Sequence, residues 1–321
     1  MRRYLAQRLL IAVPTILGVT LLIFIAMRVL PGDPLAAISG EGGGMYVLSQ
    51  EQLRAARASL GLDRPYVVQY LDWLADILRG DLGKSFWRGE PIRELIARRA
   101  PITGQIALMA VVLSWLIGLP VGVLGAVWRN SRTDYVFRVV VTLFLAIPSF
   151  WVALMIVLSL VLTFTWRPPL TIAYLWDDPV RNLQMTVGPA LALGFALAAM
   201  MARITRSSVL EVLGEDFVRT ARAKGLRESL VVRRHALLNA MLPILTVTGT
   251  ALGALLGGSV AVERAFGVPG LGLALVFAVA ERDWMLIQNL VLLYGVVFVV
   301  VNLLVDISYG WFDPRIRYQQ S

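Results

Sequence analysis

The sequence contains no cysteine and only one histidine, His235, in 321 residues. Disulfides, thiolate metal sites and cysteine nucleophiles are therefore excluded, and so is a metal site built from several histidines. Charged residues are also scarce, at 16% of the chain, whereas an average soluble domain has about 25%. Hydrophobic residues make up 58% and the mean hydropathy is +0.71. This composition is typical of a membrane protein.

Long apolar runs are abundant, and a membrane-spanning helix needs about 20 predominantly apolar residues. Six runs predict six spans, at about 9–30, 104–127, 136–164, 186–201, 244–262 and 286–305. The third is long enough to tilt or to include an interfacial end. The first follows Arg2, Arg3 and Arg8, as a secretory signal would. Because it is longer than the about 7–15 apolar residues of a signal, and no clear cleavage site follows, we expect a retained anchor.

Lys and Arg are unevenly divided among the segments that connect the spans. Sixteen of them lie in the segments 1–8, 128–138, 203–240 and 306–321. The two short segments 166–185 and 263–285 contain four. The positive-inside rule therefore places both termini in the cytoplasm. The same four basic segments account for the whole net charge of +9, so no basic surface is left for nucleic acid. We predict an all-α polytopic membrane protein with six transmembrane helices, N-in and C-in.

The long outer segment 31–103 carries helix signals. Ser49 and Gln52 form a capping box for a short helix that ends near residue 60. A second helix is expected from Pro65 to Gly80, and a third from Pro91. We therefore divide the chain into the tail and first span (1–30), a helical outer loop (31–103), a five-helix core (104–306) with the cytoplasmic loop 203–240, and a cytoplasmic tail (307–321).

The tripeptide Gly83-Lys84-Ser85 has the ending of a phosphate-binding P-loop. Leu78, however, stands where the first glycine of that motif belongs, and the segment lies on the outer side of the membrane. No Walker motif occurs elsewhere in the chain. We therefore expect this chain to have no catalytic residues, no bound metal or cofactor, and no ATPase activity of its own.

The middles of the predicted spans lack Asp, Glu, Lys and Arg. Ion-coupled transporters and charge-ring channels usually carry such residues within the membrane, so both classes are disfavoured. Glycines are frequent instead, and the pairs Gly118/Gly122 and Gly249/Gly253 have the spacing of close helix packing or of hinges. In the third span, the run Ile147-Pro148-Ser149-Phe150-Trp151 either lines a translocation path, through Pro148, Ser149, Phe150 and Trp151, or kinks a packing helix.

The cytoplasmic segment 211–243 contains helix punctuation that a plain connection would not need. Asp216 is a candidate N-cap, and Gly225 stands where a left-handed C-terminal cap is expected. Between them, an apolar face and a basic face are predicted. The apolar face has Phe217, Val218 and Ala221, and the basic face has Arg219, Arg222 and Lys224. A second helix is expected over 229–240. The first helix could lie on anionic lipid or dock in a groove of a protein partner.

Several stretches, in order along the chain, resemble the B-type permease subunit of dipeptide/oligopeptide ABC importers. They are RVLPGDP at 28–34, GDLGKS at 80–85, ARITRSS at 202–208, LEVLGEDFVRTARAKGL at 210–226, RHALLNAMLP at 234–243, FGVPGLG at 266–272 and DPR at 313–315. The general cytoplasmic signature of ABC importer permeases is matched only at Ala221 and Gly225, and Leu238 replaces its proline.

The resemblance implies the type I ABC importer permease fold in the cytoplasmic (inner) membrane. It also implies as partners a homologous C-type permease subunit, two cytoplasmic ABC ATPases that hold ATP and Mg²⁺, and an extracytoplasmic solute-binding protein. The resemblance makes residues 216–225 the coupling helix. These are Asp216, Phe217, Val218, Arg219, Thr220, Ala221, Arg222, Ala223, Lys224 and Gly225. The cargo implied is a di- or oligopeptide, with glutathione, nickel chelates and sugars as alternatives.

Overall fold

The computed structural model describes residues 2–29, 51, 63–86, 88–168 and 171–312. This part of the chain is helical, as predicted, and its β pairing is limited to a single bridge between Lys84 and Pro91. The helices are α1 (Arg2–Val29), α2 (Tyr66–Leu78), α3 (Ile92–Val127), α4 (Arg132–Ala146), α5 (Ser149–Phe164), α6 (Pro179–Leu213), α7 (Asp216–Ala223), α8 (Glu228–Leu230), α9 (Leu238–Phe266), α10 (Leu271–Glu281) and α11 (Trp284–Phe312), with a π-helical turn at Val231–Leu237. The predicted helix that ends near residue 60 lies outside the described residues.

Six membrane crossings follow from the helix lengths. Among the described residues, α1, α3, α6, α11 and the α8–α9 run are each long and apolar enough to cross a bilayer. The pair α4 and α5 supplies a sixth crossing. Helix α10 meets the end of α9 at 88°. Because it has 11 residues, or about 16 Å of helix, it is too short to cross and adds no span.

The third span is not the single helix that the hydropathy predicted. Helices α4 and α5 meet at an angle of 95°. Ile147 is extended, with φ −86° and ψ 124°, because the ring of Pro148 disfavours the α conformation in the residue before it. Pro148 then serves as the N-cap of α5, where its missing N–H costs no helical hydrogen bond.

Helices α3 and α6 extend well beyond the predicted spans. Helix α3 runs without a break from Ile92 through Pro101 to Val127, so the third outer-loop helix and the second span are one helix. The expected division between residues 103 and 104 thus falls inside it. Helix α6 has 35 residues instead of the apolar stretch 186–201, because polar residues continue it at both ends.

The glycine pairs are places of close helix packing. A Cβ on Gly118 would lie 2.7 Å from the carbonyl oxygen of Ala198, so α3 and α6 touch along their backbones. On α9, a Cβ at Gly249 would lie 2.1 Å from Val305, and one at Gly253 would lie 2.1 Å from Phe298 of α11. Both pairs with small-xxx-small spacing therefore pack against a neighbouring span, as that spacing favours.

The outer segment is attached to the spans by aromatic and polar contacts. Helix α2 begins after Pro65 and is closed by Gly80, with φ +81°, as predicted. Trp73 is buried beside Phe24 of α1. Beyond α2, the hydroxyl of Ser85 donates a 2.6 Å hydrogen bond to the carboxylate of Asp283. The serine of the Gly-Lys-Ser tripeptide is thus a structural contact between the outer segment and the start of α11.

Candidate functional site

Helix α7 is a two-turn helix in the connection between α6 and α9. Its N-cap is Glu215, which makes no side-chain capping hydrogen bond, so the prediction of Asp216 as N-cap is wrong. Asp216 is instead the first helical residue, where a carboxylate interacts favourably with the helix dipole. It pairs with Arg219 of the next turn at 3.3 Å.

The buried face of α7 is narrower than predicted. Val218 and Ala221 are buried against Val212 and Leu213 of α6, Val231 of the π turn, and Leu226. Phe217 is 45% exposed and lies outside this cluster, so the prediction that it shares a face with Val218 is wrong. Residues one apart on a helix point about 100° away from each other, whereas residues three apart share a side. The exposed side of α7 thus carries a large aromatic ring among charged residues.

Gly225 ends α7 in the way the sequence predicts. Its φ is +78°, in the left-handed region that favours glycine. Its N–H donates to the carbonyl of Arg222 at 2.9 Å, and the N–H of Leu226 donates to the carbonyl of Ala221 at 3.4 Å. This is the Schellman arrangement, and the packing of Leu226 on Ala221 is its usual hydrophobic contact.

The three cations of this region have different surroundings. Arg222 forms a bidentate pair with Glu228 of α8, at 3.0 and 2.6 Å. The hydrogen bonds that Arg222 donates to this carboxylate raise the pKa of its guanidinium above the usual value. Arg219 is paired with Asp216, and Lys224 is exposed. The Arg222–Glu228 pair therefore links α7 to α8 within the same connection, whereas Lys224 is exposed at the surface.

The second predicted helix is not a separate element. A continuous helical run begins with α8 at Glu228, widens into the π turn at Val231–Leu237, and continues as α9 to Phe266. His235 lies in the π turn, and its carbonyl accepts a 2.6 Å hydrogen bond from the Asn239 side chain. Among the described residues, no three His, Asp or Glu side chains gather as metal ligands would.

Both ends of the α7 connection are anchored in the helical core. Val209 of α6 packs in one buried cluster with Ala236, Ala240 and Ile244, which lie in the π turn and α9. Met201 of α6 belongs to the same cluster. The segment that carries α7 is therefore packed against the cytoplasmic ends of two spans.

The predicted path residues lie elsewhere, at the bend between α4 and α5. Pro148 forms the bend, and Phe150 and Trp151 are each 47% exposed in the first turn of α5. Ala153, two residues further on, is fully buried in the cluster shared by α3, α5, α6 and α9. The aromatic pair therefore faces away from the core of this chain, at the point where the third span changes direction.

Besides Asp283, two other fully buried carboxylates were not predicted from the sequence. Glu263 is fully buried near the outer end of α9, where it accepts a 2.8 Å hydrogen bond from Thr103 and one of 3.1 Å from the N–H of Leu273. Glu263 stands three residues before the FGVPGLG stretch of the family resemblance, and this position is the sequence signal for it.

Asp134 is also fully buried, in the first turn of α4. The sequence signal for Asp134 is Ser131, the N-cap of α4, because a serine followed three residues later by an acidic residue resembles a capping box.

Two family models together cover nearly the whole chain. Residues 118–318 match the family described as "Binding-protein-dependent transport system inner membrane component". Residues 1–107 match the N-terminal family of the same transport-system membrane components. The first match contains α4 to α11, including α7 and Gly225.

Similar sequences extend over the full length. A Brucella abortus protein, provisionally named a peptide transport system permease, is 39% identical over 318 residues, which cover 99% of this chain and all of that protein. A glutathione transport system permease from Salmonella choleraesuis is 39% identical over 319 residues, with 99% and 100% coverage.

Two solved structures share the fold. The inward-facing MetNI methionine ABC transporter gives a TM-score of 0.58 at 20% identity, over 70% of this chain and 99% of that one. An amino acid ABC transporter with histidines gives 0.52 at 18% identity, over 73% and 96%.

Proposed function

Because the chain belongs to the family of binding-protein-dependent transport system inner membrane components, we propose that α7 and Gly225 form the surface through which partner ATPases drive it. The chain is a multi-pass permease of an ABC importer and has the fold of such permeases. Residues 216–225 are the coupling helix in this proposal, with Phe217 as its anchor.

The observation that carries the proposal is the division of α7 into a buried apolar side and an exposed side. A helix that lies on lipid directs its apolar face into the bilayer. The apolar residues Val218 and Ala221 instead pack against the chain itself. The exposed residues of this segment include Phe217, Asp216, Arg219 and Lys224. Aromatic residues and arginine are enriched at protein interfaces and their binding hot spots.

Transport by such a chain requires partners. We infer a homologous C-type permease subunit that encloses the path together with this chain, and two cytoplasmic ABC ATPases that hold ATP and Mg²⁺. A solute-binding protein delivers the cargo on the outer side. In this scheme the chain itself is not an enzyme and binds no nucleic acid. Its own part is to convert movement of α7 into rigid-body movement of α6 and α9.

The exposed face of α9 supports a path along that helix. Thr246, Thr250, Ala254 and Gly258 recur there at helical spacing and are all exposed. The exposed residues of α11 are large and apolar, such as Phe298 and Leu304, as lipid contact favours. Small and hydroxyl-bearing residues are better suited to line a solute path than to contact lipid acyl chains. Because α5 packs against α9 in one core cluster, we place Pro148, Ser149, Phe150 and Trp151 beside the same path.

The cargo proposed is a short peptide. The relatives named for peptide transport and the relative named for glutathione transport match this chain equally well. Glutathione is itself a tripeptide, so a peptide backbone is the chemistry that the two names share. Nickel chelates and sugars remain alternatives from the sequence alone.

The absence of native cysteine makes a direct test possible. A Phe217→Cys variant carries one thiol, on the exposed side of α7. In the assembled transporter we expect a maleimide–diazirine cross-linker, attached to this thiol through its maleimide, to join it to an ATPase subunit on illumination and to stop ATP-driven peptide uptake. Trp128→Cys is the control, because Trp128 is 48% exposed on the same side of the membrane but lies outside α7. Equal cross-linking at both positions, or a cross-linked Phe217→Cys transporter with normal uptake, would overturn the proposal.

A further inference from the structure

A cluster of three arginines surrounds a half-open cavity at the cytoplasmic ends of α3, α4 and α6. The cavity has a volume of about 240 Å³. Its walls are apolar, from Val121, Phe137 and Ala202, and its rim carries Arg138, Arg203 and Arg206. We propose that this cavity binds the headgroup and upper acyl chain of an anionic phospholipid from the inner leaflet.

The described residues do not balance the charge of the cavity. Arg206 is neutralised by the buried Asp134, with hydrogen bonds of 2.8 and 2.9 Å to its two oxygens. The N–H of Asn130 donates to the same carboxylate at 3.0 Å, so little of its accepting capacity remains. The Arg138 Nε lies 3.6 Å from this carboxylate, too far for a hydrogen bond. The lining thus carries three guanidinium groups against the single carboxylate of Asp134, which leaves two positive charges.

The unsatisfied donor points to a missing acceptor. The Nε of Arg138 is buried and has no hydrogen-bond partner, although a buried polar group normally has one. Arg203 is exposed, and within the described part of the chain it forms no ion pair. Arg138 and Arg203 lie on different helices, α4 and α6, with the cavity between them. A phosphate at the rim would accept hydrogen bonds from both, a geometry for which guanidinium is well suited.

The depth and surroundings of the cavity favour a lipid over a free anion. Arg138 lies six residues inside α4, or about 9 Å along the helix from its cytoplasmic end, which is where inner-leaflet headgroups are found. The neighbouring face of α4 exposes Tyr135, Val139 and Leu143, a large apolar stripe typical of acyl-chain contact. Basic pockets between helices on the cytoplasmic side are known to hold anionic headgroups. A free phosphate would leave the apolar walls uncovered.

The test is native mass spectrometry of the full-length chain in detergent, titrated with phosphatidylglycerol or with phosphatidylcholine. We expect retained phosphatidylglycerol and little phosphatidylcholine.

The double variant Arg138→Gln/Arg203→Gln should weaken phosphatidylglycerol binding about tenfold or more, as the loss of two juxtamembrane cations implies. The matched control is Arg129→Gln/Arg132→Gln, which removes two exposed cations at the same membrane boundary but outside the cavity. It should change binding less than about twofold. An unchanged melting temperature in phosphatidylcholine micelles shows that each variant is folded.

Three outcomes would overturn the proposal. Equal loss in both double variants would mean nonspecific attraction to the basic boundary. Displacement of phosphatidylglycerol by inorganic phosphate at comparable concentration would mean an anion site that does not recognise lipid. Displacement by a short peptide with a free carboxyl terminus, but not by its amidated form, would mean that the arginines receive cargo leaving the path. The lipid assignment requires that neither competitor acts and that only the cavity variant loses binding.

Discussion

Phe217 and Val218 are consecutive residues of one helix, yet Val218 is fully buried and Phe217 is 45% exposed. Val218 fastens α7 to α6 and the π turn, whereas Phe217 is available to another molecule. In the proposed coupling role, the two side chains would meet two separate requirements, attachment to the subunit itself and contact with a partner.

Replacing each of these residues by alanine should produce different defects. Phe217→Ala should leave the melting temperature of the purified chain nearly unchanged, since an exposed side chain contributes little to folding. It should lower ATP-driven uptake about tenfold or more, as loss of an aromatic hot spot implies. Val218→Ala should instead destabilise the chain by about 1–3 kcal/mol, because it leaves a cavity in a buried cluster.

The two readouts are thermal unfolding in detergent and peptide uptake by proteoliposomes that contain the full complex. Thr220→Ala is a suitable control, because Thr220 is exposed on α7 and, among the described residues, its hydroxyl bonds to the Asp216 carbonyl alone, at 3.0 Å. If Phe217→Ala lowers stability as much as Val218→Ala does, Phe217 is a packing residue and the proposed anchor is wrong.

Gly225 can be tested through its backbone conformation. A Cβ at Gly225 would meet no atom within 4 Å, so the effect of alanine is confined to the left-handed φ of +78°. We expect Gly225→Ala to cost about 1 kcal/mol. Gly225→Asn should cost less, because asparagine tolerates this conformation better. Uptake that follows the same order, with Asn above Ala, supports a role for the turn in positioning α7. Equal loss for both variants would show that the glycine is needed for the space in front of it.

Two glycines of the spans should respond differently to a methyl group. At Gly122 a Cβ would lie 2.7 Å from the Ala202 carbonyl oxygen and 2.6 Å from Thr205, so Gly122→Ala forces α3 and α6 apart. We expect a loss of about 1–3 kcal/mol, the usual cost of overpacking. Gly257 has no atom within 4 Å of the same position, so Gly257→Ala should leave the isolated chain at its normal melting temperature. A lower melting temperature for Gly257→Ala than for Gly122→Ala would contradict the helix packing described above.

The Gly-Lys-Ser tripeptide offers a test of its structural role. Ser85→Ala removes the 2.6 Å hydrogen bond to Asp283 and should destabilise the chain by about 1–3 kcal/mol, since the buried carboxylate loses a donor. Lys84→Ala should have little effect on stability. Limited proteolysis of the outer segment provides the measurement, with faster cleavage expected only for Ser85→Ala. A tripeptide that acted on phosphate would instead depend on Lys84 and would respond to added nucleotide.

Hydropathy and charge were sufficient to predict the helical class and the crossings, because both depend on composition over about 20 residues. The end of α7 was also predictable, since Gly225 marks a conformation that few other residues adopt. The bend at Pro148 was not, because the apolar run continues unbroken through it. Hydropathy does not report the direction of the helix axis. The bend is indicated only by the steric effect of Pro148 on Ile147.

Local sequence patterns could not predict the contacts between distant segments. Phe217 appeared to share a face with Val218 because both are apolar, but the buried side is set by Val212 and Val231, which belong to other elements. The buried Asp134 depends on Arg206, 72 residues away in the sequence. Arg203 and Arg206 resembled loop residues because charge usually ends a span, yet α6 continues past both of them.

The π turn makes the two attachments of α7 mechanically unequal. On one side α7 is joined to α6, an α-helix about 50 Å long whose internal proline, Pro189, lies far from the end next to α7. On the other side the chain reaches α9 through seven residues of π helix, a wider form that is rare and found mostly as single turns. In the proposed coupling role, a push on α7 would be transmitted more directly along α6 than through the π turn to α9. One cytoplasmic movement would then become a difference in motion between two neighbouring spans.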